Sequence, residues 1–293
     1  MKFIFFGSPE FAAIILNKLI NAGFIPEAIV CNPDKPMGRK KIITPPPTKK
    51  VIGENERANK VKIFQPETLS TIYSSLLSLK PDIFIVAAYA KIIPKEILAI
   101  PELSVIGVHP SLLPKYRGAT PIQSVILNGE EKTGTTLFLM DEKIDHGPII
   151  ANRELQISNH NYKELEKKLA ELSGNLLIEI IPGLAEKIKS SVSQNESQAT
   201  YTKKFKTEDA YINPNDIKKA ETIGGEIAKI INRKIKAFYP EPGAFTFIDN
   251  KRTKLLDSEL KEDKLIIKSI QEEGKKPQEA TRNRKKPQET KSI

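Results

Sequence analysis

The stretch DIFIVAA at residues 82–88 is a short apolar run without polar alternation. Strands that are buried on both faces have such runs, whereas strands with one solvated face alternate polar and apolar residues. Residues 104–108 repeat the pattern, and two similar runs at residues 2–6 and 25–31 flank an amphipathic stretch. Short buried strands that alternate with helices predict an α/β fold, here a Rossmann-like, doubly wound, mostly parallel sheet.

The second half of the chain predicts a smaller domain. Residues 190–199 are polar and aperiodic, as in linkers. A helix and three short strands follow, so this domain should be β-rich. We expect four regions, namely a catalytic domain at residues 1–189, a linker at 190–206, a small β-rich domain at 207–273 and a disordered basic tail at 274–293.

Composition restricts the class of protein. The formal net charge of +10 favours a polyanionic partner, although a solvated lysine-rich surface would also explain it. The single cysteine, Cys31, allows no intrachain disulfide, and three scattered histidines fit a zinc site poorly. No apolar run approaches the ~18–20 residues that span a membrane. We therefore expect a cytoplasmic, metal-free protein without membrane contact. We also expect a monomer, although none of these observations fixes the oligomeric state.

Two polar residues follow predicted strands at the edge where ligands bind. In a doubly wound sheet this edge is the crevice beyond the carboxyl ends of the strands. His109 comes directly after a buried strand, and the proline-bracketed turn behind it would fix its ring in an accessible cleft. Asp145 lies in a loop between two strands and can orient that imidazole. It equally fits an aspartate that hydrogen-bonds to its own turn.

Several motifs occur together and in order. The segment VHPSLLPKYRG at residues 108–118, followed by DHG at 145–147, resembles the signature of folate-dependent formyltransferases. The segments FGSPEFA at 6–12 and YPEPGA at 239–244 resemble the members that act on tRNA. The resemblance runs from residue 1 to about 277. It implies transfer of the formyl group of 10-formyltetrahydrofolate to the α-amino group of methionyl initiator tRNA, for translation initiation.

The resemblance also implies roles for individual residues. His109 and Asp145 match two of three catalytic residues, while the third, an asparagine, is replaced by Gly107. In formyl transfer an amine attacks the formyl carbon, oxyanion charge develops and the amine loses a proton, so an imidazole and a carboxylate suit the reaction. Glycine offers no side-chain donor for the oxyanion. Alternatively, glycine could be needed at 107 because the backbone there takes an angle that only glycine tolerates. The folate would lie beside Tyr89, Ser111, Leu112, Leu113 and Pro114.

Residues 34–50 form a basic segment rich in proline. The tRNA-specific members carry an insertion here that reaches the acceptor end, which implies tRNA-binding roles for Lys35, Arg39, Lys40 and Lys41. Lysines contact phosphates without reading sequence. The second domain would add an oligonucleotide-binding (OB) type of barrel, shortened relative to the family, and its strand count leaves closure of the barrel open.

Two other functions remain open at this point. The chain could formylate a small amine, either a glycinamide nucleotide or an amino sugar, although such enzymes would not need the basic segment. It could also be a catalytically weakened folate- or RNA-binding relative, as Gly107 suggests. Turnover of charged initiator tRNA with 10-formyltetrahydrofolate separates all three.

Overall fold

A computed structural model of the protein describes residues 1–38 and 40–280. It divides into two compact units, the first at residues 1–121, 131–157 and 166–203, and the second at 122–130, 158–165 and from 204 onward. Arg39 and residues 281–293 of the expected tail lie outside the described residues. The domain boundaries expected from the sequence stay a prediction.

The first nine strands of the described residues form a main sheet and a hairpin. Seven of them form the main sheet in the order β5-β2-β1-β6-β7-β8-β9, and a separate hairpin pairs β3 with β4. Their bounds are β1 Phe3–Phe6, β2 Ala28–Val30, β3 Lys35–Met37, β4 Ile42–Thr44, β5 Lys62–Phe64, β6 Ile83–Ala87, β7 Ser104–His109, β8 Lys132–Leu139 and β9 Ile149–Gln156.

The five strands from β5 to β7 are parallel, and β8 and β9 are antiparallel additions. The chain runs outward from β1 to β5 and then returns to β6, so the winding direction reverses between β1 and β6. This reversal opens a crevice at the carboxyl edge. All residues of β1 and β6 are buried, which explains their unbroken apolar sequences. The predicted α/β class and the mostly parallel sheet are confirmed.

Helices connect these strands and continue into the second unit. None of them in the described ranges is long and apolar enough to cross a bilayer. Their bounds are α1 Glu10–Asn21, α2 Pro47–Glu54, α3 Tyr73–Ser78, α4 Lys95–Leu98, α5 Pro121–Asn128, α6 Tyr162–Ile180, α7 Leu184–Lys189, α8 Pro214–Thr222 and α9 Glu226–Ala237.

The second unit contains an antiparallel sheet beside α8 and α9. Its strands pair in chain order and are β10 Phe245–Ile248, β11 Lys251–Lys261, β12 Lys264–Glu272 and β13 Gln278–Glu279. The β-rich prediction is confirmed, but within residues 204–280 the sheet is an open meander and shows no closed barrel. The single helix expected after the linker is two helices, because Gly224 and Gly225 take positive φ angles between them. Pairing of β13 with β12 gives part of the expected disordered tail a defined structure.

Residues 190–203, expected as part of a linker, belong to the first unit. Val192 exchanges two backbone hydrogen bonds with Ile149, and the Arg117 amide donates to the Thr200 carbonyl over 2.8 Å. Arg117 also accepts a backbone bond from Thr202. Because these partners are distant in sequence, the polar composition gave no sign of the attachment. We call residues 192–202 the strap.

Candidate active site

His109 is the last residue of β7 and sits at the carboxyl edge of the sheet. Its Nε2 lies 2.8 Å from the carbonyl oxygen of Tyr116. Since a carbonyl oxygen only accepts, Nε2 carries a hydrogen and Nδ1 is left for proton exchange. The residue is 5% exposed, so it is more enclosed than the accessible position expected from the sequence. The turn behind β7 therefore both orients and covers the ring.

Asp145 faces the free nitrogen of His109. Its Oδ2 lies 3.5 Å from His109 Nδ1 and accepts a 2.7 Å hydrogen bond from the Gly118 amide. Its side chain is 21% exposed, so the carboxylate is the more open member of the pair. Asp145 has a φ of 48°, a left-handed conformation that surrounding contacts must hold. The structure thus brings together the two residues that the sequence singled out.

The turn Ser111–Pro114 is fixed from a neighbouring strand. Thr136, opposite His109 on β8, donates from its hydroxyl to the Ser111 carbonyl over 2.7 Å and accepts from the Leu113 amide over 3.1 Å. Ser111 is fully buried, and its hydroxyl donates to the Lys115 carbonyl. Leu112 and Pro114 are partly exposed. Of the four turn residues predicted to contact folate, these two offer surface to a ligand.

Gly107 is tightly packed. It pairs with Phe138 on β8, and a Cβ added to it would overlap the Phe138 ring and lie 3.1 Å from Cγ of Met140. Its φ is not among the positive angles, so the backbone does not require glycine. Residues two apart on a strand point to one face, which puts Gly107 beside His109. The buried Phe138 ring thus occupies the volume that an asparagine side chain would need.

Tyr89, the fifth predicted folate contact, turns toward the interior. Its ring packs edge-on against Phe6 at a centroid distance of 5.5 Å, beside the core cluster of β1 and β6. Its hydroxyl is buried without a hydrogen-bond partner in the described residues. Burial raises the pKa of Tyr89 to about 12, so the hydroxyl stays protonated. Its neighbours 88 and 90 are exposed. If they contact folate, Tyr89 acts only by supporting them from the interior.

The predicted tRNA-binding lysines lie on the hairpin of β3 and β4. Lys35, Lys40 and Lys41 are exposed, and so are three apolar neighbours, Met37, Ile42 and Ile43. Lys49, in the same basic segment, instead forms a 2.8 Å salt bridge with Asp34. That lysine anchors the base of the hairpin.

Arg117 and Gln194 belong to the site, although sequence reasoning gave them no role. The Gln194 side chain donates to the carbonyls of Asp145 and Gly147, and it accepts from two nitrogens of Arg117. Arg117 is fully buried and pairs with Glu196 at 2.6 Å. That bond holds the pKa of Glu196 below its usual value. Arg117 lies inside the segment 108–118 that resembles the family signature, whereas Gln194 lies in a segment whose polar composition predicts a linker.

Other reactive groups are poorly placed for chemistry. Burial raises the pKa of the Cys31 thiol to about 11, so it is protonated at neutral pH. His146 pairs with Asp141, their Nδ1 and Oδ2 atoms being 2.6 Å apart. Within residues 1–38 and 40–280, no group of three or more histidine, cysteine, aspartate or glutamate side chains could hold a metal ion. The described site therefore rests on His109 and Asp145.

Comparison with known proteins gives this geometry a family. The family model of the formyl transferases matches residues 1–181, and the model of the formyl transferase C-terminal domain matches residues 226–265. A methionyl-tRNA formyltransferase of Thermotoga maritima is 39% identical over 258 residues, which cover 87% of this chain and 78% of that protein.

Two solved structures share the fold. Methionyl-tRNA formyltransferase from Clostridium thermocellum has a TM-score of 0.59 at 20% identity, over 93% of this chain and 98% of its own. HypX from Aquifex aeolicus, in complex with tetrahydrofolic acid, has a TM-score of 0.65 at 16% identity, over 96% of this chain and 46% of its own. The family matches span both units, and the chain belongs to the formyl transferase family.

Proposed function

We propose that this protein transfers the formyl group of 10-formyltetrahydrofolate to the α-amino group of methionyl initiator tRNA. One observation carries the proposal. A histidine and a carboxylate, with their Nδ1 and Oδ2 atoms 3.5 Å apart, lie at the carboxyl edge of the sheet, in a chain that is 39% identical over 258 residues to a methionyl-tRNA formyltransferase. A ligand at this edge would contact both groups.

The pair suits the proton transfer that the reaction requires. The amine nitrogen attacks the formyl carbon and loses a proton, and the bond between that carbon and the folate nitrogen then breaks as the folate nitrogen takes up a proton. A positioned base speeds the first proton transfer by about 10²–10⁴-fold. Nε2 of His109 is committed to the Tyr116 carbonyl. Asp145 Oδ2 and His109 Nδ1 therefore form the acceptor pair, and the more exposed Asp145 meets the amine first.

Folate binding would use the surface around the fixed turn. The flat face of the pterin ring needs apolar walls, and its amide-like edge needs backbone hydrogen-bonding groups. Leu112 and Pro114 supply such walls. Thr136 fixes the turn through its bonds to the Ser111 carbonyl and the Leu113 amide. The bound tetrahydrofolate of HypX supports a folate donor for this fold. The donor supplies the formyl group, and the protein orients it beside Asp145.

The exposed hairpin favours tRNA over a small amine as the acceptor. Lys35, Lys40 and Lys41 present flexible charges to solvent, which suits contacts with phosphates. Glycinamide nucleotides and amino sugars are too small to need them. We infer that the hairpin binds the acceptor arm while the methionyl amine enters the site.

The test is a competition between acceptors. The purified protein is given 10-formyltetrahydrofolate with methionyl initiator tRNA, glycinamide ribonucleotide and a nucleotide-linked amino sugar, and formylated products are measured. We expect formylmethionyl-tRNA to dominate. Formylation of a small amine instead would identify the alternative enzyme, and no product from any acceptor would favour a weakened binding protein.

A further inference from the structure

The loop between β8 and β9, which carries Asp145, depends on a contact from a distant segment. Residues 141–144 are exposed, yet Asp145 keeps a left-handed φ of 48°. An L-residue adopts this conformation only where surrounding contacts hold it. Gln194 supplies such contacts by donating from Nε2 to the Asp145 carbonyl over 2.9 Å and to the Gly147 carbonyl over 2.8 Å. The two bonds bracket the loop on both sides of His146.

The direction of the Gln194 amide is itself fixed. Its Oε1 accepts from Nε and Nη2 of Arg117 at 3.1 and 2.8 Å, so its NH₂ group must face the loop. The remaining Arg117 hydrogens go to both Glu196 oxygens and to the Tyr201 hydroxyl. A fully buried guanidinium with all five donors used is a rigid anchor.

The same short segment holds both catalytic groups. The Tyr116 carbonyl accepts from His109, and the Gly118 amide donates to the Asp145 carboxylate. Arg117, between them, reaches the Asp145 backbone through Gln194. Displacement of Gln194 would release the backbone of Asp145 while leaving the His109 bond in place. The predicted effect is therefore on the carboxylate and its distance to Nδ1.

We propose that Gln194, locked by Arg117, is a positioning residue that keeps the Asp145 carboxylate directed at His109. The strap is then part of the catalytic unit. This inference rests on the proposed function, because it assigns the reaction to Asp145. It concerns alignment alone, since Gln194 contacts the loop backbone and none of the reacting atoms.

Three variants test the proposal in full-length protein. Gln194→Ala removes all of the bonds, and Gln194→Glu keeps an acceptor for Arg117 but loses both donors to the loop. Gln198→Ala, at an exposed position of the same strap, is the matched control. We expect both Gln194 variants to lower kcat by about 10- to 100-fold, as for misplacements on the order of 1 Å. KM for tRNA and folate should stay within about twofold, and Gln198→Ala should match the wild type.

Gln194→Glu distinguishes a loss of alignment from a loss of folding. Its retained bond to Arg117 should keep the melting temperature close to that of the wild type. A normal kcat in this variant would overturn the proposal, and so would a raised KM with unchanged kcat. An active wild type with active Gln194 variants refutes only the positioning role. An inactive wild type refutes the proposed function itself.

Non-additivity supplies a second readout. If Gln194 acts through Asp145, Gln194→Ala should change the single-turnover rate little once Asp145→Asn is present. Equal fold-losses in the wild-type and Asp145→Asn backgrounds would show an independent structural effect and contradict the proposal.

Discussion

The turn behind β7 and the hairpin of β3 and β4 both follow strands of the same sheet, yet they are built differently. The turn holds His109 and a fully buried Ser111, and side chains from distant segments bond to its backbone. The hairpin exposes Lys35, Met37 and Lys41. A backbone bond of 3.1 Å from Lys41 to Gly38 closes its tip.

This difference reflects two kinds of task. Proton transfer depends on donor–acceptor distances of about 2.6–3.2 Å, so its groups need a rigid support. Contacts between lysines and phosphates act through charge and tolerate variable geometry. Changes to the turn should therefore alter kcat, folate binding or stability, whereas substitutions in the hairpin should alter tRNA affinity and its salt dependence.

The largest effect is expected at His109. His109→Gln keeps an N–H donor that can reach the Tyr116 carbonyl but removes the titratable nitrogen that faces Asp145. Turnover should fall by about 10²–10⁴-fold. Circular dichroism and the melting temperature should stay near those of the wild type. A variant that retains more than a tenth of the wild-type rate would exclude His109 from the chemistry.

The next effect is expected at Gly107. Gly107→Asn would force the buried Phe138 ring to move, and overpacking of this kind costs about 1–3 kcal/mol. We therefore expect lower stability and lower turnover, even though an asparagine adds a donor. Thermal unfolding and single-turnover kinetics measure the two losses.

Gly107→Asn combined with Phe138→Ala relieves the overlap and should recover part of both losses, with Phe138→Ala alone as the control. If Gly107→Asn alone speeds the reaction at an unchanged melting temperature, the packing explanation is wrong.

A smaller effect is expected at Thr136. Thr136→Val leaves the buried Leu113 amide without its partner, at a cost of about 1–3 kcal/mol. The loosened turn should raise KM for 10-formyltetrahydrofolate, by roughly 10-fold if 1.4 kcal/mol reaches the binding step. Thr133→Val is the matched control, because the Thr133 hydroxyl is buried without a hydrogen-bond partner in the described residues. Equal effects of both variants would show that Thr136 does not support the turn.

The smallest effect on turnover is expected in the hairpin. Neutralising Lys35 and Lys40 to glutamine and Lys41 to asparagine, which tolerates the φ of 49° there, should weaken tRNA binding. The salt slope should flatten by roughly 0.7–0.9 units for each phosphate that the hairpin no longer neutralises, with kcat at saturating tRNA unchanged. The control neutralises the exposed Lys167, Lys187 and Lys189 on α6 and α7. A slope that falls equally in the control would assign the effect to net charge.

Sequence reasoning recovered what local patterns encode. The unbroken apolar runs of β1 and β6 predicted the parallel sheet, and the carboxyl-edge rule led to His109 and Asp145. Gln194 could not be found in this way, because its partners are about 50 and 80 residues away and a polar segment looks the same whether free or attached. The reason for glycine at 107 was also inaccessible, since it depends on cross-strand packing against Phe138.

The central claim, that Asp145 and His109 drive formyl transfer to methionyl-tRNA, is tested most directly by the single-turnover rate of formylmethionyl-tRNA formation. Asp145→Asn is compared with the wild type at saturating 10-formyltetrahydrofolate, because the amide keeps an oxygen for the Gly118 amide while removing the charge. We predict rapid formylation by the wild type and a loss of about 10²-fold or more in the variant. Equal rates, or a wild type that leaves methionyl-tRNA unformylated, would contradict the account.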